Sequence, residues 1–160
     1  MTVRPLTTVL DVLRARIDHT AFDAVAFSLD SVVADLGYGD VRPLPVSIAW
    51  IDALRAEGKA IGLVFAGDNP RAAVELAGVG DRFDAVAGGP DALARVLEAL
   101  DVPAQRAIAV DTAGEGIQTA LRSGLRLTIA LARGPESPEA LRRAGAAAIV
   151  ADLHELLRAT

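Results

Sequence analysis

The sequence predicts a three-layer, doubly wound (Rossmann-like) α/β fold, a parallel sheet of about five to six strands in a single domain over residues 1–160. Three observations predict it. Short apolar runs alternate with helical segments along nearly the whole chain, about two to six residues apart, as in repeated strand-helix-strand units. The run from Ala24 to Leu29 is almost continuously apolar and ends in polar Ser28 and Asp30, the pattern of a central parallel strand buried on both faces. A hydrophobic content of 52% over 160 residues can bury one sizeable core.

Leu6, Val9, Leu10, Leu13 and Ile17 recur at helical spacing, with Thr7 or Thr8 as a cap, so the chain is expected to open with a helix over about 6–17. The first strand follows. A loop rich in Gly and Pro (Gly37, Gly39, Pro43, Pro45) leads to a helix from Ser47 to Glu57, with Ile48, Ile51 and Leu54 on one face and Gly58 as its stop. Ala60–Phe65 reads as the second strand, and Asn69-Pro70 opens a helix to about Ala77. The expected order then runs strand Phe83–Ala87, helix Pro90–Leu100, strand Arg106–Val110 ending in Asp111, helix Glu115–Ser123 and strand Leu127–Leu131. Helix Pro138–Ala144, strand Ala148–Val150 and a closing helix Leu153–Arg158 complete it.

Several function classes are excluded or disfavoured by composition. With no cysteine there is no disulfide, thiolate metal site or cysteine nucleophile. A net charge of −5, one Trp and one Tyr offer neither attraction for phosphate backbones nor stacking surface, so nucleic acid is not an expected partner. No run approaches a membrane span and the N-terminus lacks a signal pattern, so a cytoplasmic location is expected. A dinucleotide-binding reading would want Gly-x-Gly-x-x-Gly after the first strand, but Gly114 and Gly116 follow the fourth. A phosphoacceptor receiver would need a lysine at a late strand end, where none stands.

Asp23-Ala-Val-Ala-Phe-Ser-Leu-Asp-Ser-Val-Val-Ala-Asp35 resembles the first motif of haloacid dehalogenase-like (HAD) phosphatases, β-phosphoglucomutase-like branch, whose strand ends Asp-x-Asp-Gly-Val. Ile61–Val79 is similar to the second-motif strand and helix, Asp81–Val86 to the segment after it, and Ala109–Gly116 to the fourth motif. Gly145–Leu153 resembles the closing strand, so the resemblance covers about residues 23–157. The family commonly carries a cap domain after the first motif. The 29 residues from Ser31 to Lys59 leave no room for one, so the resemblance implies a capless core.

In the family, a first-motif Asp attacks phosphorus, and the Asp two residues on moves protons. Mg²⁺ is held by the nucleophile, by the backbone carbonyl of that second Asp and by a fourth-motif acid. A second-motif Ser or Thr and a third-motif Lys hold the phosphoryl oxygens. Carried over by position, Asp30 takes the acid/base slot and Asp111 the fourth-motif metal slot. Ser28 occupies the nucleophile slot, and Phe65, Ala66 and Gly67 the second-motif phosphate slot, both substituted. Gly88-Gly-Pro-Asp91 stands where the lysine is expected, and Lys59, the only lysine, precedes the second strand at the opposite end of the sheet. Shifting the register to make Asp30 the nucleophile leaves Val32 as its partner, which cannot move protons. Ser28 as nucleophile needs a base, and neither His19 nor His154 falls at a strand end.

Ala66-Gly-Asp-Asn69 leads into a helix N-terminus that favours an anion, though Asp68 opposes one. Two readings of Asp30 and Asp111 stand side by side: weak Mg²⁺ binding, or capping of local backbone. The resulting expectation is a HAD-like pseudoenzyme with a binding, regulatory or assembly role, using no cofactor or weakly bound Mg²⁺. The alternative is a weak Mg²⁺-dependent phosphatase acting on a phosphorylated substrate. Partners are expected to be a second copy or another protein, with apolar surface around Tyr38, Val41 and Trp50 covered by the second subunit.

Overall fold

The computed structural model describes residues 20, 22–35, 41–67, 75 and 78–150. The expected opening helix, the helix after Asn69-Pro70, the closing helix, both histidines and Tyr38 lie outside them. Among the described residues six parallel strands form one sheet in the order β5-β4-β1-β6-β7-β8, with β1 Ala24–Ser28, β4 Ala60–Phe65 and β5 Ala85–Gly88. The others are β6 Ala107–Asp111, β7 Leu127–Leu131 and β8 Ala148–Val150. Helices α1 Pro45–Ala56, α2 Ala92–Leu100, α3 Gly114–Arg122 and α4 Pro138–Ala144 connect them. The doubly wound parallel sheet is as the sequence predicts.

The loop after β1 departs from expectation. Leu29–Ser31 forms one 3₁₀ turn, and β2 Val33–Asp35 pairs antiparallel with β3 Val41–Pro43 in a separate hairpin. Pro43 stands at the hairpin's end, where a missing N–H is tolerated. Helix α1 begins two residues before the predicted Ser47, because Pro45 occupies its first turn with φ already set for a helix. Ser47 lies inside it, where its buried hydroxyl donates to the Ser31 carbonyl at 2.8 Å. The Ser31 hydroxyl in turn donates to the Ser28 carbonyl at 2.7 Å. Two side chains thus tie the turn that carries Asp30 to the end of β1.

The two faces of the sheet differ. Val25, Phe27, Ile61, Leu63, Ile108, Val110 and Ile129 pack with Trp50, Ile51 and Leu54 of α1 into the main core. On the opposite face the same strands present Ala26, Ala107 and Ala109, packed against Leu93 and Leu97 of α2 and Ala120 of α3. Gly62 belongs to that second face, where an added Cβ would lie 2.3 Å from Val96 Cγ1. Small residues let α2 approach the sheet and leave little bulk above β1.

Trp50 corrects the sequence reading. It is 1% exposed, packed edge-on against Phe27 at 5.4 Å between ring centroids. It belongs to this chain's own core and offers no surface to a second subunit. Its spacing with Ser47, Ile51 and Leu54 is the buried stripe of α1, and Ile48 lies at the edge of that stripe.

Candidate functional site

Parallel pairing brings the C-terminal ends of β4, β1 and β6 side by side: Ser28 lies opposite Val64, and Phe27 opposite Val110. Ligands of open α/β sheets sit at this edge. Ser28, Asp30, Phe65, Ala66 and Asp111 line one cavity there of about 490 Å³. The structure therefore gathers the first-, second- and fourth-motif positions. Gly67 is near but does not line the cavity; an added Cβ would sit 2.6 Å from the Phe65 ring, which covers its backbone.

Asp111 is the most constrained of these residues. Its Oδ1 accepts the N–H groups of Thr112 at 2.7 Å and Ala113 at 3.1 Å. Its Oδ2 points at Gly116, where an added Cβ would fall 1.7 Å away, so only glycine leaves room for the carboxyl. Burial pushes its pKa up against the backbone hydrogen bonds; the Ser28 hydroxyl lowers it and the Asp30 charge raises it. Ser28 and Asp30 thus both act on Asp111 electrostatically. The Ser28 hydroxyl nevertheless closes no hydrogen bond of ordinary geometry, and its Oγ stays buried without a partner.

Asp30 is exposed at the cavity mouth and makes no hydrogen bond among the described residues. Of the two capping alternatives, Asp111 caps the backbone that enters α3, while Asp30 caps nothing described. Lys59 donates to the Phe22 carbonyl at 2.8 Å beside the start of β1, at the end of the sheet away from the cavity. At the third-motif position, Gly88 ends β5 and residues 89–91 turn ahead of α2, which begins at Ala92 rather than Pro90.

Two residues escaped the sequence reading. Glu115 lines the cavity as a third carboxylate; it stood in plain view four residues after Asp111, but only the turn into α3 aims it at the mouth. Arg95 donates to the Gly88 carbonyl at the end of β5, beside the empty lysine position. Helical spacing from Asp91 was its one signal.

No protein-family model matches the chain, and neither does any curated protein. Solved structures do match. A candidate β-phosphoglucomutase from Thermotoga maritima aligns over 84% of this chain and 97% of its own, at TM-score 0.73 and 15% identity. A haloacid dehalogenase-like hydrolase from Streptococcus pneumoniae aligns over 86% and 98%, at TM-score 0.71 and 12% identity. The chain has a haloacid dehalogenase-like fold. An L-2-haloacid dehalogenase shares 27% identity over 74% of this chain and 56% of its own, at TM-score 0.63.

Relative to that HAD-like fold, the stretch between β1 and β4 holds a hairpin and α1 where a cap domain commonly sits. Mg²⁺ takes near-octahedral oxygen ligands and is usually anchored by carboxylates. At this rim Ser28 is neutral and one Asp111 oxygen already accepts two N–H groups. Among the described residues no group of three acid or histidine side chains is placed to hold a metal ion. The donor set does not fit a firmly held Mg²⁺.

Proposed function

We propose that this chain is a HAD-like protein without phosphotransfer chemistry, acting in the cytoplasm through binding, regulation or assembly with a second copy or another protein. The observation that supports it most is the side chain at position 28. It stands at the ligand-facing rim, within electrostatic reach of Asp111, and offers a neutral hydroxyl in place of a carboxylate. A covalent aspartyl-phosphate route needs a carboxylate there, with a phosphate-holding hydroxyl and lysine alongside. Phe65 fills the second slot, and the Gly88–Asp91 turn the third. Groups that act as a unit are not partly dispensable, so their joint replacement leaves binding as the remaining capacity of the site. Through Asp30 and Asp111 the rim offers Mg²⁺ weak attraction.

One observation favours a second reading. Asp30 is exposed, uncapped and at the acid/base position, as a weak Mg²⁺-dependent phosphatase would need. Turnover of 4-nitrophenyl phosphate with Mg²⁺ separates the two. Wild-type protein is expected to release no nitrophenol above the level of Asp30→Asn. Mg²⁺-dependent turnover that Asp30→Asn abolishes would replace the pseudoenzyme by the phosphatase.

A further inference from the structure

One corner of the molecule sets an exposed apolar side chain among unpaired cations. Leu121, in the last turn of α3, is the one large apolar side chain left exposed among the described residues, at 44%. Its Cδ1 lies across the end of α4, where a Cβ added at Gly145 would stand 2.2 Å from it. Arg122 ends α3 and Arg126 comes just ahead of β7, while Arg142 and Arg143 stand in the last turn of α4. Backbone contacts hold these ends together: the Thr128 hydroxyl, near the start of β7, donates to the Gly145 carbonyl at 3.2 Å, and the Gly145 N–H donates to the Arg142 carbonyl at 3.0 Å. All four arginines are exposed. Among the described residues none of them closes an ion pair; Arg122 reaches only the Thr119 hydroxyl, at 3.4 Å, and Glu139, one turn before Arg143, meets no arginine.

Cations in the last turn of a helix complement its dipole, which accounts for Arg122, Arg142 and Arg143. It accounts neither for Arg126, which belongs to no helix, nor for a leucine left in solvent between them. The net charge of the chain is −5, so setting these four positive charges apart leaves −9 on everything else. An extended anionic surface, such as a membrane leaflet or a nucleic-acid duplex, would meet that excess as well as the patch. A short acidic segment stays within about 8 Å of the arginines, one screening length at physiological salt, and meets chiefly them. An apolar anchor ringed by arginines is also the composition of a protein interface centre, whereas a membrane-inserting face presents several large apolar side chains.

We propose that the corner where α3 and α4 end docks a short acidic segment of a partner protein: an apolar side chain of that segment packs on Leu121 while its carboxylates pair with Arg122, Arg126, Arg142 and Arg143. The surface lies at the opposite end of the sheet from the Ser28 and Asp111 rim, since the Arg126 N–H donates to the carbonyl of Ala107 at the start of β6, at 3.0 Å. It therefore goes beyond the role of the rim and stands whether or not the rim turns over a phosphate ester.

Fluorescence anisotropy of the full chain with a labelled short glutamate peptide carrying a central leucine pair tests it. The peptide is expected to bind, and to bind more weakly as NaCl is raised. Exchanging its glutamates for glutamine should weaken binding by about tenfold, and so should Arg142→Glu combined with Arg143→Glu in the protein, the order of effect of a few exposed ion pairs. Leu121→Asn, at an exposed position, should weaken binding severalfold without lowering the melting temperature. Exchanging the leucines of the peptide for alanine should cost as much with wild type and nothing further with Leu121→Asn. Arg133→Glu, a charge reversal beyond the far end of β7, should leave binding unchanged. Absence of peptide binding, or a comparable loss with Arg133→Glu, would overturn the proposal. Sedimentation with phosphatidylglycerol vesicles in place of peptide binding would make the patch a membrane contact. A salt-sensitive dimer that excludes the peptide and is lost with Arg142→Glu and Arg143→Glu would make its occupant a second copy; either result replaces the acidic segment.

Discussion

Ser28→Asp is expected to raise Mg²⁺ affinity about a hundredfold by calorimetry. The estimate follows from adding one negative charge about 4 Å from a cation at an effective dielectric near 20, reduced for repulsion among the carboxylates. The new group would join Asp111 and Asp30 at the same rim, since the uncharged hydroxyl it replaces belongs to a residue lining the same cavity. Without metal the added charge crowds a carboxyl that burial already disfavours, so the variant should melt below wild type and recover when Mg²⁺ is added. Unchanged Mg²⁺ affinity would mean that position 28 does not face the fourth-motif acid.

Asp111→Asn should stabilise the protein at neutral pH, and the gain should shrink as the solution is acidified. Burial raises the folded-state pKa of Asp111 above the ordinary 3.8. Below that ordinary value both folded and unfolded chains hold the proton, and the residue carries no penalty. As pH rises through the folded-state pKa, the unfolded chain has already released a proton that the folded chain gives up at a cost, and stability is lost. Asparagine has no such titration, and its side-chain oxygen can still accept the Thr112 and Ala113 N–H groups. Thermal melts of both proteins from about pH 4 to 8 check this. A difference that is constant with pH, or that favours Asp111 at pH 7, would show that the carboxyl is satisfied by its surroundings. A buried carboxylate that costs stability is the usual signature of a residue kept for its site and not for the fold.

The fold was legible because its signals are local. The apolar run of β1 reports burial on both faces. Pro138 and Gly145 bracket α4 as predicted, with Ser137 accepting the Ala140 N–H at 3.1 Å as its cap and Gly145 at φ 110° as its stop. The hairpin was not legible, since Val33–Asp35 and Val41–Pro43 are three residues each and sit among loop-forming Gly and Pro. The sequence reading puts Ile48, Ile51 and Leu54 on the buried face of α1 and leaves Trp50 at a surface that no cap covers; the structure buries Ser47, Trp50, Ile51 and Leu54, with that serine on the Ser31 carbonyl.

The rim was legible residue by residue, because strand ends in a parallel sheet fall at one edge. The small-residue face beneath it was not. Ala26, Ala109 and Ala120 lie far apart in sequence, and an alanine in a strand or helix gives no hint that the neighbour it faces is also small. The asymmetry of the two sheet faces emerges only when β1, β4 and β6 are set side by side.

A double-mutant cycle on Mg²⁺ binding, with Ser28→Asp, Asp111→Asn and the two combined, tests the central claim most directly. If position 28 and Asp111 share one crevice, the affinity gained by Ser28→Asp falls by at least about tenfold when Asp111 is neutralised, as coupled neighbours require. A gain that survives undiminished in the double variant would place the two side chains in separate environments and contradict the account.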